Sequence, residues 1–392
     1  MQYSVAVIGA GASGIAAAIS LSRAGKSCII CDRMPRIGKK ILASGNGRCN
    51  LSNEKLNDSL YNPSAQALVK SIFARFGGED IKNFFHSLGV TLHSEDGRLF
   101  PVTNQSASVV KALDLELRRL SVPIRLDFNA VAVTETKDGF VVTSSSGEKV
   151  SAHSVMLAGG GKSYSALGSD GSAYKLAEKF GHSLIEPVPV AVPITVKDNL
   201  CHLLQGQKIT AKVGSIINGK MVSESCGDLL FTKYGLSGTA ILDISEDISI
   251  AINRSTAKSV EVFIDMVPFM EETQLERELA VRAGKGIAAE DLLTGILPNK
   301  LSSALKGSSA KVLKYKRFRV LGTRGWNEAE FTAGGVDVNE VNAGTLESKL
   351  KKGIYFAGEI LDVNGRRGGY NLAWAWASGF VSGLAAGGAH NA

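Results

Sequence analysis

The 392-residue chain is 21% charged and 44% hydrophobic, holds 43 glycines and carries a formal net charge of +7. This composition excludes a disordered majority, and the length leaves room for two or three domains with ample core. Five scattered cysteines exclude a disulfide framework, and six histidines show no metal-ligand spacing.

The first predicted unit is a strand, a turn and a helix over Val5–Ala24, VAVIGAGASGIAAAISLSRA. An apolar run, Val5 to Ile8, meets Gly9, Gly11 and Gly14 at the G-x-G-x-x-G spacing, and the helix that follows is small-sided. In a βαβ unit the first glycine makes the tight turn and the second removes the Cβ that would block a pyrophosphate. The third lets helix and strand pack closely, and free N–H groups at the helix N-terminus face the phosphates. A second strand, Ser27–Cys31, ends at Asp32, 18 residues after Gly14, where a carboxylate takes a ribose diol. These signals predict a flavin or nicotinamide dinucleotide. Cys28 and Cys31 form a C-x-x-C, but three residues apart on a strand they face opposite sides, which argues against a redox pair or half a zinc site. The first strand begins almost at Met1, with no room for a signal or transit peptide, so the expected compartment is the cytoplasm.

Next comes a basic, glycine-rich stretch with Arg33, Gly38, Lys39 and Lys40, running into ILASGNGRCN over Ile41–Asn50. Three glycines and two asparagines do not suit a packed element. They suit backbone folded against a flat polar ligand, with Lys39, Lys40 or Arg48 near phosphate or flavin oxygens. Cys49 has no second cysteine at a useful spacing, so no dithiol relay is expected.

Apolar spacing predicts helices over Ser64–Phe76 and Glu79–Leu88, a hairpin over Val90–Pro101, a helix over Ser106–Leu120 and a strand over Ile124–Leu126. Three short strands then read as a meander, near Val131–Thr136, Gly139–Thr143 and Lys149–Ser151, returning to the main sheet through Ser154–Ala158. The return ends in Ala158-Gly159-Gly160-Gly161-Lys162-Ser163-Tyr164, followed by Gly168-Ser-Asp-Gly171 and a helix over Ser172–Phe180. Glycines at the carboxyl end of a parallel strand lie where doubly wound sheets bind ligands, so a second backbone contact to the dinucleotide is expected there.

From about 191 to 333 the texture changes. Short β-like runs (Ile209–Val213, Ser215–Ile217, Leu229–Phe231, Val260–Ile264, Arg319–Leu321) alternate with weak helices (Glu271–Ala283, Ala288–Leu293, Asn299–Leu305). An inserted domain, part β and part helical, is expected to cover the cofactor and shape the substrate pocket. It separates two halves of the dinucleotide domain, 1–190 and 334–392. Its densest basic run, Lys311–Arg319, reads first as a solvated face and second as a phosphate or nucleic-acid contact.

The final 60 residues return to the first style. Thr332-Ala-Gly334-Gly335-Val336 is a tight turn, and Gly353–Ala357 is a strand running into Gly358-Glu359. Asp362 to Leu372 then leads into an uncharged helix. An acid just past a strand, beside glycine, suits a polyol chain such as ribitol. The helix starts near Asn371, beside a double glycine. Aimed at a flavin's pyrimidine edge, its dipole would stabilise reduced flavin by roughly 1 kcal/mol or somewhat more. The uncharged stretch Tyr370–Ala389 is broken by Gly379, Gly383, Gly387 and Gly388, so a buried helix is expected rather than a membrane span.

The blocks VIGAGASG, GKKILASGNGRCNLSN, AGGGKSY with GSDG, GDLLFTKYGLSGTAILDIS, TAGGV and GIYFAGEILDVNGRRGGYNLAWAWASG run from residue 5 to 380. In them the chain resembles the BaiN-like family of bacterial NAD(P)/FAD-dependent oxidoreductases, which are two-dinucleotide-binding-domain flavoproteins. The resemblance implies an α/β fold: a discontinuous Rossmann-like FAD-binding domain with a three-strand β-meander, plus an inserted β-barrel with a small helical part at about 268–310. It implies FAD, with Gly9, Gly11, Ala12, Ser13 and Gly14 at the pyrophosphate and Asp32 and Arg33 at the adenosine ribose. Lys39, Lys40, Gly45, Gly47, Arg48, Cys49 and Asn50 would lie near the flavin, and Val131, Ala158, Gly159 and Gly160 close to the dinucleotide. Glu359 or Asp362 would take ribitol hydroxyls, with Asn371 and Leu372 at the flavin ring, and Gly358, Gly369 and Tyr370 are also expected to bind the cofactor. Asn364 stands where the family often has Asp, and Ala373 where it often has Gln. Neither removes a group that FAD needs, but Ala373 is expected to change the pocket beside the flavin.

The expected activity is hydride transfer between flavin N5 and a small organic substrate. Its leading form is NAD(P)H-linked reduction of an activated C=C, such as that of a conjugated 3-oxo steroid or bile-acid-like compound. Two alternatives stay open: an FAD-dependent oxidase of a small amine using O₂, and a flavin-containing nucleic-acid-associated protein whose footprint is the +7 charge. No strong general acid is legible. Arg48 and Tyr370 are the candidate catalytic residues, with Tyr164 and Tyr234 candidates by motif position only. No metal is expected, nucleic acid is not the leading partner, and the residues do not choose between monomer and homodimer.

Overall fold

Val5, Ala6, Val7 and Ile8 are all buried, so the first strand is covered on both faces, as a central parallel strand requires. The computed structural model describes residues 2–388. β1 (Gln2–Ile8) leads through α1 (Ala12–Arg23) to β2 (Cys28–Cys31), a short α2 (Lys39–Ala43) and β3 (Ser52–Asn53). A helix pair, α3 (Gln66–Phe73) and α4 (Gly78–Ser87), is followed by a hairpin, β4 (Leu92–Glu95) and β5 (Arg98–Pro101). After α5 (Ser106–Arg119) and β6 (Ile124–Arg125) the meander runs as β7 (Ala130–Thr136), β8 (Gly139–Ser144) and β9 (Lys149–Leu157). Then come α6 (Tyr174–Glu178) and β10 (Leu184–Val190).

The chain divides into two compact units, one of Met1–Pro187 with Phe331–Ala392 and one of Val188–Glu330. The second contains β11 (Ile194–Val196), α7 (Asn199–Leu203), β12 (Lys208–Ile217), β13 (Lys220–Thr232), β14 (Gly235–Ser237) and α8 (Thr239–Asn253). It continues with β15 (Val260–Asp265), α9 (Glu272–Gly284), α10 (Asn299–Ala304), α11 (Ala310–Lys314) and β16 (Lys316–Thr323). Its six strands close into an antiparallel barrel, β11-β14-β13-β12-β15-β16, with a core of its own that includes Phe231, Ile244 and Phe318. β17 (Phe331–Val336), β18 (Ile354–Phe356) and α12 (Tyr370–Ala386) return to the first unit.

The first unit's main sheet has the order β6-β2-β1-β9-β8-β7, with β18 added beside β9. Parallel register sets Ile8 opposite both Cys31 and Leu157, and Leu157 opposite Phe356. Four strands therefore end in one row. The residues that follow them, Gly9, Asp32, Ala158 and Ala357, line one carboxyl edge, where doubly wound sheets take ligands.

The structure departs from the sequence reading at several elements. The third meander strand and the return strand are one element, β9, whose first half pairs antiparallel with β8 and whose second half pairs parallel with β1. Polar Ser151, His153 and Ser154 disguised its continuity. Ile41 is buried and anchors α2 within a stretch expected to be unpacked. Pro63 opens a 3-10 turn, so α3 starts only at Gln66. Ala288–Leu293 forms turns, since only Leu293 of that run is buried. The two runs 209–213 and 215–217 are one strand through Gly214, where the Phe263 ring fills the place of a Cβ. α8 was not expected at all, although Ile241, Ile244 and Ile248 repeat at helical spacing and are buried.

α12 is a buried helix, and among the described residues no helix is long and apolar enough to cross a membrane. Ala389, the end of the predicted uncharged stretch, lies outside the described residues. α12 docks on α1 through a four-residue glycine repeat. A Cβ on Gly379 would collide with the Ser13 carbonyl, one on Gly383 would stand 2.7 Å from the Ala17 carbonyl, and one on Gly387 would stand 2.9 Å from Leu21 Cδ2. Both partners advance together along the chain, so the two helices run parallel.

Candidate functional site

Parallel packing gives the site its layout. Gly379 faces Ser13, so α12 extends about eight residues beyond the start of α1, roughly 12 Å at 1.5 Å per residue. Two helix N-termini therefore point the same way, one set about 12 Å beyond the other. Their N-caps are Gly11 and Gly369, neither with a side-chain cap, and neither helix has an acid in its first turn. Their leading N–H groups are left for a ligand.

The three glycines of the opening turn do different things. A Cβ on Gly9 (φ +114°) would collide with the Ala158 carbonyl, and one on Gly14 with the Gly9 carbonyl, so both positions are forced by packing. A Cβ on Gly11 would meet nothing within 4 Å, so this position is free for close approach from outside. Ser13 Oγ donates to the Ala357 carbonyl at 3.3 Å, tying the first turn of α1 to the end of β18. Asp32 accepts from Ala10 N–H at 2.5 Å and Met34 N–H at 2.7 Å. Burial pushes its carboxyl up, and these two backbone bonds pull it back. Each carboxylate oxygen keeps a further acceptor site for a ribose hydroxyl.

Glu359, just past β18, is the hub of a polar cluster. It accepts from Lys40 Nζ at 2.6 Å, Thr332 N–H at 2.8 Å, Ser163 Oγ at 3.2 Å and Gly161 N–H at 3.3 Å. Lys40 also donates to Ser163 Oγ at 2.8 Å. Four segments that are distant in sequence converge here at the carboxyl edge. Glu359 thus reaches the edge already ion-paired, as does Arg33 with Asp170. Asp362 accepts from Gly334 N–H at 3.0 Å and Ser64 Oγ at 3.3 Å.

At the head of α12, Gly369 (φ +100°) admits no side chain, because a Cβ would collide with the Ser52 carbonyl. Asn371 closes on the backbone of Gly365 through both its amide atoms, at 2.9 and 2.8 Å. Tyr61 Oη donates to the Tyr370 carbonyl at 2.7 Å, and burial pushes the Tyr370 phenol up. Trp374 and Trp376, both fully buried, donate to the carbonyls of Gly358 and Leu51 at 3.1 Å each. These bonds fix the helix against the loop after β18 and against the stretch 44–51. Leu372 is half-buried and Ala373 fully buried, so Ala373 meets packing rather than an open pocket.

The other predicted residues take varied positions. Arg48 pairs with Glu95 at 2.5 Å and lies 4.2 Å from the Phe100 ring centroid, on the hairpin side of its loop. Cys49 is buried at φ +62°, and burial pushes its thiol up to about 12, which keeps it a neutral thiol. Gly45 and Gly47 both take positive φ in the same loop, and Lys39 opens α2. Gly159 and Gly160 sit under Ala173 and Ser169, where a Cβ would stand 2.5 Å from each, and Gly358 is held as closely against Ser13 Oγ. Val131 is 44% exposed on β7. Tyr164 follows the Gly159–Gly161 turn at φ +54°, whereas Tyr234 belongs to the barrel unit and stacks with Arg324.

One residue escaped the sequence reading. Tyr174 is buried with its hydroxyl unpartnered, and burial together with the charges of Glu359 and Asp362 pushes its phenol up. Its place after Gly168-Ser-Asp-Gly171 was the available signal. Asn50 Oδ1 is also buried without a partner, near the space over Gly369. Orphaned polar atoms and an open Gly11 are what a dinucleotide with a polyol arm would complete, so the residues present fit FAD.

The chain matches the model described as HI0933-like protein Rossmann domain over residues 3–385. It is 36% identical to a 3-dehydro-bile acid delta(4,6)-reductase of Clostridium scindens, over 97% of this chain and 98% of that protein. It is 32% identical to a ribosomal RNA dihydrouridine synthase of Escherichia coli, over 97% of each. In fold it is similar to a 3-ketosteroid delta1-dehydrogenase from Sterolibacterium denitrificans, with a TM-score of 0.52 and 12% identity, covering 99% of this chain and 100% of that one. It is also similar to a flavocytochrome c3 fumarate reductase, with a TM-score of 0.51 and 16% identity, covering 99% and 78%. A glycine-lined carboxyl edge, two parallel helix N-termini and a match along almost the whole length lead to one conclusion: the chain belongs to the HI0933-like Rossmann family and has a Rossmann-type FAD-binding fold.

Proposed function

We propose that this protein is an FAD-dependent reductase of a C=C bond conjugated to a carbonyl, with NAD(P)H as electron donor. The observation that carries the reading is the pair of uncapped, parallel helix N-termini offset along one carboxyl edge. The names of the two curated relatives denote the same bond chemistry, saturation of a C=C in conjugation with a carbonyl, on different substrates. Bound FAD, once reduced, supplies the hydride.

The chain's own residues do the rest. N–H groups at the start of α1 bind the pyrophosphate, with Gly11 leaving room for it, and Asp32 takes the ribose. Glu359, held in place by Lys40, Ser163 and Thr332, and Asp362 offer carboxylate oxygens to the ribitol hydroxyls. The N-terminus of α12 favours negative charge on the ligand beside it by roughly 1 kcal/mol. Tyr370, whose phenol is protonated at neutral pH and is pushed further up by burial, is the proposed proton donor to the carbon α to the substrate carbonyl. The proposed compartment is the cytoplasm, in keeping with five free cysteines.

The test is anaerobic. Purified protein should carry FAD, be bleached by NADH or NADPH, and be reoxidised by a 4-en-3-one steroid. Tyr370→Phe should slow that reoxidation by 10² or more while leaving flavin reduction unchanged. Protein that takes up no FAD, or that is reoxidised by O₂ alone, rejects the reading.

A second reading places the same chemistry on uracil in ribosomal RNA. The +7 charge favours it, as do the two dihydrouridine synthase relatives at 32% and 30% identity. Loss of dihydrouridine from ribosomal RNA in a deletion strain, read by nucleoside mass spectrometry, would select it.

A further inference from the structure

Between Leu292 and Asn327 the chain carries eight lysines and arginines and no acid. Lys314 is used internally, paired with Asp265 at 2.6 Å and donating to the carbonyls of Val267 and Met270. Most of the others face out. β16 alternates strictly: Phe318 and Val320 point into the barrel core, while Arg317, Arg319 and Leu321 are exposed.

Aromatic rings stand among these cations. Phe263 of β15 lies opposite Arg317 in register and stacks on Tyr315, with ring centroids 4.9 Å apart and planes 23° from parallel. The Phe263 ring is seated over Gly214, where any Cβ would collide with it. Arg317 lies 4.9 Å from the Tyr315 centroid and donates to its hydroxyl at 3.2 Å. Tyr315 nevertheless stays 38% exposed, and Lys311, one turn earlier on α11, is exposed too. Glu261 sits in this face, 3.5 Å from Arg317, and the exposed Glu224 of β13, opposite Gly214 in register, pairs with Lys212 at 3.2 Å.

We propose that this outer face of the barrel, built on Lys311, Tyr315, Arg317 and Arg319, is a docking surface for single-stranded RNA. The cations neutralise phosphates and release counterions. An exposed ring and a guanidinium plane accept unstacked bases, which a duplex hides. An apolar partner does not suit so dense a positive charge, and a purely electrostatic partner has no use for the seated aromatic stack. The inference rests on the ribosomal RNA reading above, and its test reads binding rather than turnover, so that the two fail separately.

The full-length, FAD-loaded protein is titrated into a fluorescein-labelled 20-nucleotide oligouridine while anisotropy is followed across salt concentrations. Wild type should bind, with log affinity falling linearly against log salt. The double variant Arg317→Gln/Arg319→Gln should bind at least tenfold more weakly and flatten the slope by about 1.4, two phosphate contacts at about 0.7 each. Tyr315→Ala should weaken binding several-fold and leave the slope unchanged, the signature of lost stacking. Lys311→Gln lies off the barrel strands and should flatten the slope by about 0.7 without touching them. An unchanged flavin spectrum and melting midpoint report an intact fold. Wild type failing to bind at low salt overturns the proposal. Variants that bind like wild type also overturn it, while dihydrouridine loss in the deletion strain would still uphold the RNA reading of the catalytic site. Equal affinity for heparin or phosphatidylglycerol vesicles, with no effect of Tyr315→Ala, overturns it in favour of a non-specific polyanion surface.

Discussion

The first turn of α1 is built on Gly9, Gly11 and Gly14, all within six residues of chain, and the steric demands on these three glycines come from the turn itself or from Ala158 at the end of the neighbouring strand. The first turn of α12 is built differently. Gly369 is pressed against Ser52, Trp376 is tied to Leu51, Tyr370 to Tyr61 and Trp374 to Gly358. Both helices offer uncapped N–H groups in the same direction. One N-terminus is a local device, and the other exists only because distant segments converge on it. The glycine repeat Gly379, Gly383 and Gly387 fixes the offset between them.

The comparison breaks most severely at that repeat. Gly379→Val would drive a branched side chain into the backbone of Ser13, with a cost of about 3 kcal/mol or more. The expected outcome is a sharply lower melting midpoint and loss of bound FAD. A variant with wild-type stability would mean that the register of the two helices does not depend on this contact. Gly11→Ala separates binding from folding, because its Cβ meets nothing in the protein. FAD affinity should fall about tenfold, or about 1.4 kcal/mol, while the apoprotein midpoint stays near wild type. Calorimetric titration of apoprotein with FAD checks this, and early melting of the apoprotein would contradict the local account.

The smallest effect lies off both helices, at His182. Its ring is enclosed between Glu340, 3.0 Å from Nδ1, and Ser348, 2.7 Å from Nε2. Burial lowers its proton affinity, against the opposing pull of Glu340. The unfolded chain therefore binds a proton near pH 6.5 that the folded protein refuses until lower pH. This contribution to stability is complete above the unfolded value and is lost as pH falls from there toward the folded value. Melting midpoints measured from pH 7.5 to 5.5 should decline, and His182→Gln should flatten the decline with FAD affinity unaltered. A decline as steep in the variant would remove His182 as its source.

How far the sequence could be read follows the same division. Gly9, Gly11, Gly14 and Asp32 were legible because their geometry is set within one βαβ unit, where the spacing is the structure. The end of β9 and the end of β18 were legible as strands running into glycine. Lys40 was expected beside ligand oxygens, but its partner in the structure, Glu359, lies 319 residues away, and no local pattern encodes such a pair. Arg48 carried the right chemistry in a suggestive loop, yet its guanidinium turned toward Glu95, because the loop's glycines and Asn46 let the backbone reverse there. Tyr174 left no trace beyond its neighbourhood, since an unpartnered hydroxyl is a property of its surroundings. α8 was missed although its isoleucines repeat at helical spacing, since β-branched residues between barrel strands mimic another strand.

The amino-acid sequence by itself determined the dinucleotide turn, the order of strands and helices around it, and the chemical types available to the site. Local sterics enforce these, and glycine at Gly14, whose Cβ would collide with the Gly9 carbonyl, has no substitute whatever the rest of the chain does. Only the tertiary structure decided which charges meet, which polar atoms stay without partners, and how far α12 reaches past α1. Those outcomes depend on packing between segments separated by hundreds of residues, where a contact of a few ångströms is fixed by the whole sheet and by a row of glycines on one helix.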